Sequence, residues 1–211
     1  MRYETFALDS KFRPEPANLD KTLTILRAHT HLPQNHLGLY VVHTPLKVYK
    51  AVHSADGDKC LANIIIPVGA RIIFDKRTAP FADDYLKMRA DVAICESIWE
   101  PTCKPGRTLY ENLFSTKNRF MMRLSVAQSL RSPKFKYRPA PRKIVDAALA
   151  GQPIVSLQLL PENSVHPSRS IADLSPSNKH LIVPTNGFAM SSTTCAAGIH
   201  FFVQLICALK Y

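Results

Sequence analysis

Three imidazoles fall close together, at His29, His31 and His36. A His-x-His pair suits a transition metal when the backbone is extended, because alternate side chains of a strand share a face. Here, however, His29 is expected to close a helix and Pro33 breaks the extended run beyond it, with no neighbouring carboxylate or thiol to complete a tetrahedral set. The expectation is a solvated turn over residues 31–36 and no metal. Five cysteines (Cys60, Cys95, Cys103, Cys195 and Cys207) are irregularly spaced and include no CxxC. That pattern suggests neither a disulfide framework nor a zinc ribbon, but reduced thiols in or near a core. Cys195 is followed by Gly198 and His200, a thiol and a base, yet nothing in the spacing fixes their geometry. The hydroxyls of Ser191-Ser-Thr-Thr194 lack the glycine-flanked elbow of a serine nucleophile. Walker, GxGxxG and HExxH patterns are absent, and seven glycines leave little material for phosphate-cradling loops. The reading favours a non-enzyme with no cofactor.

Charge is more informative. The chain holds 27 Lys and Arg against 16 Asp and Glu, a formal +11, with a pI near 9.6. No acidic residue lies between Glu111 and Asp146, yet Lys117, Arg119, Arg123, Arg131, Lys134, Lys136, Arg138, Arg142 and Lys143 do. Phe135 and Tyr137 are interleaved with the densest cations. Such a segment, residues 117–143, can supply phosphate contacts and stacking platforms to single-stranded nucleic acid. It can equally lie on an acidic neighbouring protein or an anionic membrane surface, with its aromatics facing a core.

The elements that would position these groups derive from 211 residues at 46 % apolar, enough for one domain with a real core. Sixteen prolines against seven glycines predict short helices and stiff loops. Residues 1–17, with Pro14 and Pro16, read as an extended arm, and Asp20 is a candidate cap for a helix ending near His29. Strand-like runs cover residues 37–43, 46–52, 61–67, 69–74, 91–98 and 154–160, the second and third forming a hairpin about a turn at 54–58. Helical spacing marks residues 120–130, and a short helix over 144–150 is stopped by Gly151. Residues 161–184 read as a long proline-rich loop. The division is an N-terminal arm and short helix over 1–36, then a β-rich α+β domain over 37–211. The opening residues lack the apolar core of a secretion signal. The apolar run 199–209 is about half the roughly 20 residues that cross a bilayer, so no transmembrane segment is expected.

Four segments resemble a known pattern: Val48-Tyr-Lys-Ala-Val52, Ile64-Ile-Ile-Pro-Val-Gly-Ala-Arg71, Lys87-Met-Arg-Ala-Asp-Val-Ala-Ile-Cys-Glu-Ser-Ile98 and Cys195-Ala-Ala-Gly-Ile-His-Phe-Phe202. Ala208 and Tyr211 continue the last at matching spacing, and Phe135-Lys-Tyr-Arg138 is a weaker match. Together they resemble the uncharacterised domain that follows pentapeptide repeats in proteins of large DNA viruses and some bacteriophages. No pentapeptide repeats are present here. The resemblance implies a scaffold in which Tyr49, Lys50, Cys195, Gly198, His200, Phe201 and Phe202 are structural. Where the family has a polar segment after the Phe-Phe pair, this chain has Val203-Gln-Leu-Ile-Cys207. A helix without a polar face must be buried on both sides or dock against another chain. A more distant likeness is to ADP-ribosyltransferase-like folds, with Tyr49 or Lys50 and His200 at the active positions. No convincing catalytic Glu accompanies them, so that reading implies a degenerate site in a nicotinamide-sized cleft between the Tyr49 and His200 strands.

The expectation is therefore a non-enzymatic structural subunit of a large particle, a minor capsid or internal virion protein that bridges neighbouring protein subunits. It would reside in the virion or the cytoplasm of the infected cell and would not be secreted. The alternatives are a nucleic-acid-binding accessory protein using residues 117–143, and the degenerate transferase-like domain.

Overall fold

The computed structural model describes residues 5–7, 17–31, 38–53, 59–74, 86–101, 121–124, 139–158, 181–184, 188–189 and 197–211. Two antiparallel sheets dominate. The first is assembled from β1 (Thr5–Ala7), β4 (Leu46–His53), β5 (Lys59–Ile66), β8 (Ala93–Pro101), β9 (Met121–Leu124) and β10 (Leu181–Ile182). Its order is β1-β9-β8-β5-β4, with β10 also paired to β8. The second sheet is formed by β2 (Thr30–His31), β3 (Leu39–Val42), β6 (Arg71–Ile73), β7 (Met88–Ala90) and β11 (Ile199–Phe201), in the order β11-β7-β6-β3-β2.

The hairpin expected around residues 54–58 is the backbone of the first sheet, running in register from Leu46 opposite Ile66 to His53 opposite Lys59. On one of its faces Leu46, Val48, Val52, Cys60, Ala62, Ile64 and Ile66 enter the main core. On the other, Ile65 and Ile94 are covered by α2 (Arg142–Leu149) and α3 (Ile154–Gln158) through Ile144, Val145, Ala148 and Leu157. A strand buried on both faces cannot alternate polar and apolar residues. This is why β5 reads as an almost unbroken apolar run.

Helix α1 (Leu19–His29) starts at Asn18, whose side chain accepts from the Lys21 N–H. The expected cap, Asp20, instead sits in the first turn, where a carboxylate suits the helix dipole. Leu26 of α1 belongs to the same core as both sheets, and β2 pairs with β3, so this segment is built into the domain. Helix α4 (Leu205–Lys210) buries Ile206, Cys207, Ala208 and Leu209. Of the two outcomes expected for this segment, burial within its own chain is the one realised at these four residues.

Gln204 ties α4 to α1. Its amide donates to Thr22 Oγ1 at 2.6 Å and to the Asn18 carbonyl, while Oε1 accepts from the Asn18 N–H at 3.2 Å. Both Gln204 and Thr22 are buried, and a buried polar group that loses its partner costs about 1–3 kcal/mol. Gln204→Ala is expected to lower the unfolding free energy by about 2 kcal/mol in urea denaturation. A change near zero would show that the link between the helices carries no stability.

Several expected elements are present: the strands near 37–43, 46–52, 61–67, 69–74 and 91–98, and the helix near 144–150. Gly151, at φ +84°, supplies the left-handed residue beyond α2. Two expectations are corrected. Residues 121–124 form a strand, not a helix, because β1 and β8 satisfy their backbone from either side, and pairing overrides local spacing. Residues 154–158 form a helix, not a strand. A short apolar run fits either state, and Pro153 favours helix entry, its carbonyl accepting from the Leu157 N–H. Strand β7 is too short to show a period in sequence.

Candidate functional site

Tyr49, Lys50, Gly198, His200, Phe201 and Phe202, expected to be structural, lie where the two sheets join. Tyr49 on β4 and Phe202, just past β11, exchange both backbone hydrogen bonds at 2.8 Å. This one pair stitches the edge of the first sheet to the edge of the second. Phe201 and Phe202 are buried, and the Phe202 ring lies 5.3 Å from that of Tyr211. A transferase-like site requires a cleft between the Tyr49 and His200 strands, yet at this point the strands are in direct hydrogen-bonding contact.

Lys50 occupies the inward phase of β4, opposite Ala62, whose small side chain is fully buried. Its ammonium donates to the His200 carbonyl at 2.9 Å, a second tie across the junction. Burial, and then the positive charge of Lys87, hold the Lys50 pKa down at about 8. An amine in that range retains nucleophilic capacity at neutral pH. Around it Lys87 lies 5.3 Å from the Tyr211 ring centroid, and Lys59 donates to the Tyr211 carbonyl.

His200 stands directly across from Arg89 on β7. Arg89 is only 3 % exposed, and its guanidinium donates to the carbonyls of Ala189 and Ala197 at 3.3 and 3.4 Å. Gly198 is required beside it, because a Cβ there would sit 3.1 Å from the Arg89 Cβ. Arg89 is the participant that sequence reasoning misses as a site residue. A buried arginine and a surface one look alike in sequence, and the pairing with His200 links residues far apart in the chain.

Of the candidate nucleophiles, Cys195 lies outside the described residues. Cys60, Cys95 and Cys207 are buried thiols outside any disulfide. Burial, reinforced by Glu96, pushes the Cys95 thiol up to about 12, far from the reactive range.

Much of the cationic segment lies outside the described residues: Lys117, Arg119, Arg131, Lys134, Phe135, Lys136, Tyr137 and Arg138. Its flanks, however, are placed. Arg123 on β9 stands between Thr5 and Glu100 in backbone register, and β9 pairs with β8 from Trp99 to Pro101. At the other end the Ala140 N–H donates to the Cys95 carbonyl, also on β8, at 2.8 Å. Residues 125–138 are thus bracketed by two attachments to one strand. Arg142 and Lys143 open α2 on its exposed side, and its N-cap Pro141 contributes no side-chain hydrogen bond. Two cations at the positive end of a helix dipole reinforce a local positive potential. Arg142 is countered by Asp146 one turn on, at 2.9 Å. Asp91 and Glu96 are likewise engaged, with Arg71 and Lys47.

Comparison with known proteins leaves the chain alone: no family model, curated protein or solved structure matches it. Among the described residues no helix is long and apolar enough to cross a membrane.

Proposed function

We propose that this chain is a non-enzymatic structural subunit of a large particle, a minor capsid or internal virion protein, which bridges neighbouring protein subunits and meets acidic protein surfaces with residues 117–143. The observation that carries the reading is the attachment of both flanks of the cationic stretch to β8. A strand buried at the centre of a sheet is a rigid base from which to present charge. Two further features support it. Tyr49, Lys50, Gly198, His200 and Phe202 are engaged in joining the sheets, as scaffold residues are. The chain as a whole carries a formal +11, an excess that its 16 carboxylates do not cancel. The resemblance to a domain of large DNA viruses supports a location in the virion or in the infected cell's cytoplasm.

The test is to purify the full chain and follow its solution mass and its binding to a labelled oligonucleotide across a salt series. A particle subunit is expected to self-associate without steep salt-dependent binding. Nucleic-acid binding loses about one unit of log affinity per log salt for each phosphate contacted. A monomer with that slope, flattened by combining Arg131→Gln, Lys134→Gln, Lys136→Gln and Arg138→Gln, would overturn the proposal in favour of a nucleic-acid accessory protein.

A further inference from the structure

The spacing of His29 and His31 points along the chain to His36, but the fold supplies a different partner. Strands β2 and β3 are antiparallel, with Thr30 opposite Val42 and His31 opposite Val41. Thr30 and Val42 are both buried, so His31 and Val41 point to the opposite, outward face. His43 lies just past the end of β3 and is exposed like His31. Its backbone N–H donates to the His29 carbonyl at 3.0 Å, extending the pairing past the ends of the strands.

The result is a cross-strand pair of exposed imidazoles, His31 and His43, with ring centroids 4.8 Å apart and planes inclined at 46°. That separation is close to what one metal ion bound by both rings would need. Zinc–nitrogen bonds of about 2.1 Å at a tetrahedral angle, with each ring centre about 1.1 Å behind its nitrogen, put the centroids about 5 Å apart. His43 is also held in place, since its Nδ1 lies 2.9 Å from Thr44 Oγ1. In the tautomer where Nδ1 donates to that hydroxyl, Nε2 keeps the lone pair for a metal. An outer-shell partner of this kind orients a ligating histidine. His29 flanks the pair, its Nδ1 facing the Thr44 carbonyl at 3.4 Å.

We propose that His31 and His43 form a surface site for a divalent transition metal of the zinc, copper and nickel class, with water completing the coordination. Imidazole is the ligand type these ions share. Among the described residues no group of three His, Cys, Asp or Glu converges on a metal position, so this is a two-imidazole site of modest affinity. Its occupation clamps the exit of α1 to β3.

The experiment is calorimetric titration of the full-length chain with zinc chloride, alongside the ring-proton spectra of its histidines. One equivalent is expected to bind, shifting the His31 and His43 resonances and leaving His53, an exposed histidine on β4, in place. His31→Gln or His43→Gln is expected to abolish the event. Thr44→Val, which keeps both imidazoles, is expected to weaken it about tenfold, while His53→Gln leaves it unchanged. Absence of binding, or binding that survives the His31→Gln and His43→Gln double variant, would overturn the proposal. Because all four positions are on the surface, the variants are expected to fold, and an unchanged melting temperature without zinc checks that directly.

Discussion

Replacing Lys50 with methionine should make the protein more stable at neutral pH, and the gain should vanish in alkali. In the folded chain the Lys50 pKa lies near 8 against an ordinary 10.5. Below pH 8 the amine is charged in both states, and folding bears the full cost of burying that charge. Between pH 8 and 10.5 the folded state has released its proton while the unfolded state still holds it. Wild-type stability therefore rises with pH across this window. Above 10.5 both states are neutral and the cost is gone. The gap between the two values corresponds to roughly 3 kcal/mol. Methionine keeps the unbranched stem but loses the hydrogen bond to the His200 carbonyl, worth about 1 kcal/mol. Lys50→Met is thus expected to gain about 2 kcal/mol at pH 7 and to fall slightly below wild type near pH 11. Urea denaturation of both proteins at several pH values reads this difference directly, since every other titrating group is common to the pair. Parallel curves, or a less stable variant at pH 7, would show that the buried charge is favourably held.

The second large effect concerns Phe202. Truncating a buried phenylalanine costs about 3–5 kcal/mol, and Phe201→Ala and Phe202→Ala should both fall in that range. They should differ in where the loss appears. Phe202 packs against Tyr211 and is the residue whose backbone joins the sheets through Tyr49. Amide hydrogen exchange is therefore expected to show that Phe202→Ala removes protection at Tyr49 and residue 202 before the rest of the first sheet opens. Phe201→Ala should lower protection evenly across the core. Identical exchange patterns in the two variants would mean that the junction has no local stability of its own.

The sheet-forming hairpin is legible in sequence because β4 and β5 are long, rich in Val, Ile and Tyr, and separated by an evident turn. The helix over residues 19–29 is legible from its spacing, although its cap is Asn18 and not the expected Asp20. Residues 121–124 mislead because Met121 and Leu124 sit at helical spacing, while the partners that make them a strand are Thr5–Ala7 and Trp99–Pro101. No local window contains those partners. The same limit hides the site. Arg89 is paired with His200, Lys50 with the His200 carbonyl and His31 with His43 only after the sheets form. Residue identity is what sequence does carry: Tyr49, Lys50, Gly198, His200 and Phe202 are singled out there as structural, and all of them lie at the junction.

That junction also orders events in folding. Residues 199–202 cover two edges at once, pairing β11 with β7 and Phe202 with β4. Each contact closes a loop of more than about a hundred residues, and such distant contacts make for slow folding. Until those few residues arrive, β4 in the first sheet and β7 in the second present unpaired N–H and C=O groups, a template for joining another chain edge to edge. The segment is therefore a kinetic gatekeeper. A nascent or partly unfolded chain lacking it would be the form most prone to aggregate, and the form most dependent on chaperones.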